Sequence, residues 1–575
     1  MPDMPSRLPS LLRLLRPLVL GLIVATGASG CATLRRWLVP PPTHSDNAAV
    51  SYSHLRTSEN AELILVVASL PGGDTEDTAI AVRDGRIIAR GTLATLDGVR
   101  GPATRTIRLP GGVATAGLVA GHVRLEPAAM AIDAVDLSDC KSIADVVNTL
   151  KSARQLVLTE SGWLWANGLN AALFDKLSSA DLDRAVGRTS VLVTPAGKPV
   201  GLANGGLMAR LGDLGAEIAT HAGRLDDRQV RLTWQQLPAA RPERLKPLLL
   251  GLFADLQRQG ITEVHAFGAT QAGLEALYML DRESRLTVRA RVYLDAERPE
   301  GQALLHPKRP TVDADGQPTR QLPPVAAPKA KRVPLVETAG VSLELDGSVR
   351  AGSAALTEKY ADLPHAGTLT YSDAALQERL TAADEASVHV AVRASGDAAL
   401  AQLARVLAAM ARGRDAPQLR VELPEIVSPE TLDALHTAGA LCVVAPVLTA
   451  KELEQAKRRL GPARLAWFDR AASLAAACPL QVALDFDHPE ALRAHDRLTR
   501  HNSADPEAMA TQQAWRALSS GGTARETPPI QVGEDADLVV WSRDPLLPGK
   551  IPPKVIASVI GGTVTLLIGR EADRD

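Results

Sequence analysis

Apolar residues fall in short runs along this chain, and the way those runs are spaced divides it into ends and a middle. Ala61 to Leu70 is an apolar run with β-branched residues, which predicts a strand. Thr78 to Gly91 holds two alternating runs around Asp84-Gly85. That dipeptide predicts a hairpin, because a type I′ turn needs two positive φ angles. A third run, Thr106 to Leu109, ends at Pro110-Gly111-Gly112. At the far end, Ala536 to Trp541 and Val555 to Leu567 again predict strands, with Gly561-Gly562 as a turn. Between these ends the pattern alternates. Thr189–Val193 precedes a helical Gly206–Leu211, Val264–Phe267 a helical Leu274–Leu280, Val388–Val392 a helical Ala398–Met410, and Leu441–Val447 a charged helix Lys451–Arg458. Repeated β and α segments predict a parallel sheet closed by helices, an α/β (β/α)8 TIM-like barrel. The alternative is a doubly wound open sheet, but no GxGxxG follows a first strand. The expected organisation is a β-sandwich made from both chain ends (61–115 and 527–570) around a barrel at 116–526. The Pro-, Lys- and Arg-rich stretch 301–334 predicts an exposed loop insertion.

The first 60 residues follow neither pattern. Arg7, Arg13 and Arg16 precede an apolar run from Leu18 to Ala25, then small residues 27–30, then Cys31. That order predicts a secretory signal over 1–30. The run is far shorter than the ~20 residues of a membrane-spanning helix. Ala28-Ser29-Gly30-Cys31 resembles the bacterial lipobox, in which the cysteine is lipidated. The alternative is an ordinary export signal with an incidental cysteine. Residues 31–60, with Pro40-Pro41-Pro42, predict a tether. The expected partner is membrane lipid through Cys31. Ala32 in place of an aspartate implies, by the same resemblance, an outer membrane of a bacterial envelope, facing the periplasm.

Composition narrows the partners. The chain has 575 residues, is 46% hydrophobic, and carries 63 basic against 65 acidic residues. A formal charge of -2 gives no footprint for nucleic acid. Cys31, Cys140, Cys442 and Cys478 form no CxxC pair, which excludes zinc-knuckle and thioredoxin-type motifs.

Several segments together resemble the amidohydrolase 3 family, whose members include hydrolases of N-substituted amides. They are TAIAVRDGRIIARG, WLWANGLN, GLANGGLM, GSVRAGSAALTEKYADLPHAG from Gly347, ADLVVWSRDPL and VIASVIGGTVTL. The resemblance implies a barrel holding zinc or another divalent metal at the C-terminal mouth of its strands, where the metal activates a water. The positions that would hold it are altered. The family's first-strand HxH corresponds to His122 and Arg124, and the acid before it to Ala120. The bridging lysine corresponds to Ser342, the fifth-strand histidine to Arg393 and the sixth-strand histidine to Leu423. The last-strand aspartate persists as Asp487, with Asp485 two residues earlier. A guanidinium is always cationic and cannot ligate a metal. No two of the twelve histidines are two apart, so no shifted HxH exists.

The expectation is therefore a lipoprotein in which the metal is not retained. His122 and Asp487 are remnants of a metal site, and Asp487 of its catalytic base. Arg124 and Arg393 would occupy the metal volume, neutralised by Asp487, Asp485, Glu422 or Glu126. With Lys198, they would make a positive mouth for a small anionic ligand. Two alternatives stay open. One is a working hydrolase of non-peptide carbon–nitrogen bonds on an atypical site built from His122, His265, Asp487 and His488. The other is a structural envelope protein with an idle pocket.

Overall fold

The computed structural model describes residues 60–70, 78–157, 162–196, 200–238, 240–307, 334–410, 418–447, 449–484, 491–499, 507–519, 530–547 and 552–568. The 1–30 signal, the tether up to residue 59, Cys31, Lys198, Asp485, Asp487 and His488 lie outside them. The described chain falls into two units, one spanning Asp133–Ala240 and the other made of the segments on either side.

The chain ends of the larger unit meet in one seven-stranded sheet. Its strands are β1 (Leu63–Ser69), β2 (Ala79–Arg83), β3 (Arg86–Gly91), β4 (Arg105–Ala116), β18 (Leu538–Trp541), β19 (Val555–Ile560) and β20 (Thr563–Leu567), in the order β20-β19-β18-β4-β1-β2-β3. The β2–β3 hairpin turns on Asp84 (φ 50°) and Gly85 (φ 79°), the pair of positive angles expected of Asp-Gly. Where a sandwich of two sheets was expected, a single continuous ladder buries both of its faces. Leu63, Leu65, Ile80 and Val82 pack on one side, and Ile64, Ala79 and Ala81 on the other. β4 is longer than its apolar run. It continues through Pro110–Gly112 beside a register irregularity at Val67–Ser69, then pairs antiparallel with β18.

After Gly117, β4 gives way to β5 (Leu118–Val123), the first barrel strand. A Cβ at Gly117 would stand 1.8 Å from the Thr262 hydroxyl, so only glycine permits the passage. The barrel continues with β11 (Ile261–Ala269), β12 (Arg289–Asp295), β13 (Val336–Glu344), β14 (His389–Arg393), β15 (Leu419–Glu422), β16 (Leu441–Val444) and β17 (Leu480–Val482). All eight run parallel in the order β17-β16-β15-β14-β13-β12-β11-β5. At the seam a Cβ on Gly121 would lie 2.9 Å from the Val482 carbonyl oxygen, and this close approach brings β5 against β17. Helices such as Gln271–Arg282, Asp373–Ala386 and Asp397–Ala409 separate the strands. Of the expected 301–334 insertion, residues 301–305 instead belong to the helix Pro299–Leu305, and 308–333 are not described.

The smaller unit corrects the expected 116–526 barrel. β6 (Val135–Asp136), β7 (Trp163–Leu169), β8 (Ser190–Pro195), β9 (Gly201–Ala203) and β10 (Arg224–Leu225) form their own sheet, ordered β10-β9-β8-β7-β6. Thr189–Val193 therefore feeds this sheet, not the barrel. Its core, including Leu150, Leu164, Val191 and Leu202, lies entirely within the unit.

Candidate functional site

Side chains alternate across a strand, so residues two apart on each barrel strand point into the same interior. On β11 these are Glu263, His265 and Phe267. His265 Nε2 lies 2.8 Å from Glu263 Oε1, and Arg291 Nε from β12 lies 2.9 Å from the same oxygen. Burial, helped by the Arg420 charge, lowers the His265 pKa to about 4. Burial works against the Glu263 carboxylate, but His265 and the arginines 291 and 289 outweigh it and hold its pKa at about 2. His265 is thus a neutral imidazole fixed within the barrel.

One level up, Arg420 of β15 is 1% exposed and fully committed. It donates to Glu422 Oε1 (2.9 Å), Gln481 Oε1 (2.8 Å) and the Gly121 carbonyl (2.8 Å), tying β15 to β17 and β5 across the seam. Its guanidinium carbon sits 5.2 Å from the Tyr293 ring centroid. Ser342, at the position of the family's lysine, donates to the Leu294 carbonyl (3.2 Å) and accepts from Gly268 N (3.0 Å).

At the C-terminal mouth the backbone register aligns Glu344 of β13 with Arg393 of β14, and Arg393 with Glu422 of β15. Parallel neighbours at one level share a face, so the row reads acid, base, acid. Glu344 forms an ion pair with Arg124, and its other oxygen lies 3.7 Å from Arg393 Nη1. Glu422 accepts from Arg420 and lies 3.1 Å from His122 Nδ1. His122 stacks at 4.6 Å on Phe267, which also lies 5.9 Å beneath Arg124. Burial lowers the His122 pKa, with Glu422 opposing and the charges of Arg393 and Arg124 adding to the lowering.

His122, Arg124 and Arg393 therefore meet in one network, but the carboxylate that bridges the two arginines is Glu344. Of the carboxylates expected from the sequence, Asp487 and Asp485 lie outside the described residues, and Glu422 and Glu126 are engaged elsewhere. Glu422 serves Arg420 and His122 instead. Glu126 accepts from the Thr270 amide (2.7 Å) and hydroxyl (2.8 Å), at the start of the helix Gln271–Arg282. Glu344 lies two residues beyond Ser342 and so on the same strand face, but its pairing with Arg393 follows from the β13–β14 register. Leu423, at the family's sixth-strand histidine, adopts φ 56°, a left-handed conformation uncommon for a leucine. A cleft of about 120 Å³ opens beside it, lined by Arg393, Leu423, Glu425, Val444 and Phe468 among others.

The whole arrangement can be set beside known proteins. Residues 105–566 match the amidohydrolase family, most of the chain. The chain belongs to that family. Among curated proteins, this amidohydrolase-family chain is similar to Protein LONG AFTER FAR-RED 3 of Arabidopsis thaliana. The two are 24% identical over 431 residues, covering 70% of each chain. Two solved structures share its fold. One is an uncharacterized metal-dependent hydrolase from Pyrococcus furiosus (TM-score 0.65, 19% identity, covering 85% of this chain and 99% of that one). The other is an uncharacterized metal-dependent hydrolase from Pyrococcus horikoshii OT3 (TM-score 0.65, 17% identity, covering 84% and 98%).

Among the described residues, the donor set at this mouth does not suit a divalent metal. By the resemblance drawn from the sequence, Arg124, Arg393, Ser342 and Leu423 stand where the family would place ligands, and none of the four is a usual metal donor. Among the described residues no three His, Cys, Asp or Glu side chains converge as a metal-binding group. A divalent ion would have to share the volume with Arg124 and Arg393, whose charges repel it.

Proposed function

We propose that this amidohydrolase-family chain is an envelope lipoprotein, held to membrane lipid through Cys31, whose barrel mouth binds a small anion and does not carry out metal-dependent hydrolysis. The observation that carries this is the Arg124–Glu344–Arg393 network at the metal-ligand level. A cation is already supplied there by the protein. Within the network, Arg124, Arg393 and Arg420 face Glu344 and Glu422, with His122 neutral. Among the described residues of this network three guanidiniums stand with two carboxylates, which favours a small anion. The second reading, hydrolysis of a non-peptide carbon–nitrogen bond without the usual metals, draws on the His122–Glu422 pair, an imidazole–carboxylate couple of the kind general bases use.

Elemental mass spectrometry on the chain from Cys31 onward, with that cysteine changed to serine, tests the proposal. Substoichiometric zinc, iron and manganese after incubation with excess metal is the expected result. Stoichiometric metal that disappears in His122→Ala would overturn it and direct attention to N-acyl and amide substrates.

A further inference from the structure

The cleft beside Leu423 singles out one side chain. Arg393 is 8% exposed, lines the cleft, and its Nε has no hydrogen-bond partner among the described residues. Its contact with Glu344, at 3.7 Å, is an ion pair beyond hydrogen-bond length. A buried guanidinium donor left unsatisfied costs free energy that an incoming acceptor recovers. The other two arginines lining the cleft are engaged elsewhere. Arg350 pairs with Glu452, and Arg470 donates to the Val427 carbonyl (3.1 Å) and lies 3.5 Å from Glu507.

The rest of the lining sets what the ligand is. Leu423, Val444, Phe468 and Leu474 supply an apolar wall. Glu425, Glu452 and Asp469 stand around it and repel a doubly charged anion. A cleft volume of about 120 Å³ restricts the ligand to a small molecule. We propose that this cleft binds a short branched aliphatic monocarboxylate, with its carboxylate on Arg393 and its hydrocarbon on Leu423, Val444 and Leu474. The proposal rests on the reading of the mouth as a binding site, and it names the ligand class.

The test is isothermal titration calorimetry on the full chain with 4-methylpentanoate, its neutral amide and inorganic phosphate as probes. The carboxylate binds, while the amide and phosphate are each weaker by about tenfold or more, the worth of one charge-assisted contact. Arg393→Gln lowers carboxylate affinity by about ten- to a hundredfold. Because Arg393→Gln could fail to fold, Ala445→Phe serves as a second variant. Ala445 is solvent-exposed on the cleft rim, and a larger side chain there narrows the cleft without touching a charge. It too weakens the carboxylate, with an unchanged circular dichroism melt. Phosphate binding as well as 4-methylpentanoate, or undiminished affinity in folded Arg393→Gln, would overturn the proposal. So would no detectable binding of any probe by a metal-free chain, which leaves the metal-independent reading standing. Stoichiometric metal in the same sample would sink that reading instead.

Discussion

Glu344 is shared by two guanidiniums, one on each carboxylate oxygen, and this fixes the consequence of removing it. Glu344→Gln keeps the shape but removes the carboxylate that Arg124 and the buried Arg393 share. Losing one partner of a fully buried pair costs about 3–5 kcal/mol. Arg124 is a third exposed, so the discounted expectation is about 2–3 kcal/mol, read as a lower urea midpoint with unchanged slope. Adding Arg393→Met should recover part of that loss, because the stranded cation goes with it. If Glu344→Gln is as stable as the parent, the network does not hold the mouth. His265 gives a pH signature at the same scale. Its folded pKa of about 4 lies below the ordinary 6.5, so the unfolded chain takes up a proton first as pH falls. Stability is complete above about 6.5 and declines as pH drops through about 4, by a few kcal/mol. Glu263, held at about 2, extends the decline below its ordinary 4.5. Urea midpoints measured across pH 7.5 to 4.5 check this, and His265→Gln should flatten the upper part of the curve. At this scale the sequence singled out Arg124 and Arg393, because by the resemblance each stands where the family has a histidine, and the two share Glu344 in the structure. Glu344 and Arg420 stayed hidden because their partners follow from strand register: Glu344↔Arg393 across β13–β14 and Arg420 reaching over the seam to Gly121. No local pattern encodes such pairings.

Elements are held in place by a few side chains that answer for several backbone groups. Asp346 follows β13, is 1% exposed, and accepts from the amides of Ala355 (2.9 Å), Ser395 (2.9 Å) and Gly396 (2.8 Å). It thereby joins the loop after β13 to the loop after β14, two and three residues beyond Arg393. Burial pushes its pKa up to about 6 in spite of the three donors. Asp346→Ala strands three buried N–H groups, each worth about 1–3 kcal/mol when unpaired. The expectation is a loss of several kcal/mol, with faster hydrogen exchange concentrated at Ala355, Ser395 and Gly396. Protection unchanged at those three amides would show that the loops are ordered by other means. The segment that carries the resemblance begins at Gly347, one residue after this aspartate. The elements themselves were largely legible where turn chemistry decides them, as at Asp84-Gly85. They were less so where β/α alternation does not say which sheet a strand joins. Ser190–Pro195 has the apolar run of a barrel strand, yet its neighbours are β7 and β9.

At the scale of the molecule, two kinds of dependence contrast. The chain ends are committed to each other. β18 pairs with β4, Trp541 donates to the Thr115 hydroxyl (2.9 Å), and Arg289 of β12 donates to Asp537 (2.7 Å), so the closing strands are also tied to the barrel. The unit Asp133–Ala240 satisfies itself. All five of its strands pair with one another, and its apolar core draws only on its own residues. Asn204, fully buried, accepts from Val191 N (2.9 Å) and Leu207 N (2.9 Å) and donates to the Thr189 carbonyl (2.9 Å), fixing the turn between β9 and the helix Gly205–Arg210 from within. A segment of about a hundred residues with a complete sheet and core meets the size at which domains fold alone. Expressed by itself, 133–240 should give a dispersed amide spectrum and a cooperative urea transition. Asn204→Ala should shift that transition to lower urea by about 2–3 kcal/mol, because it leaves two amides and a carbonyl unpaired in the interior. A collapsed spectrum without a cooperative transition would mean that this unit's stability comes from the rest of the chain, and that its self-contained pairing is not enough to fold it.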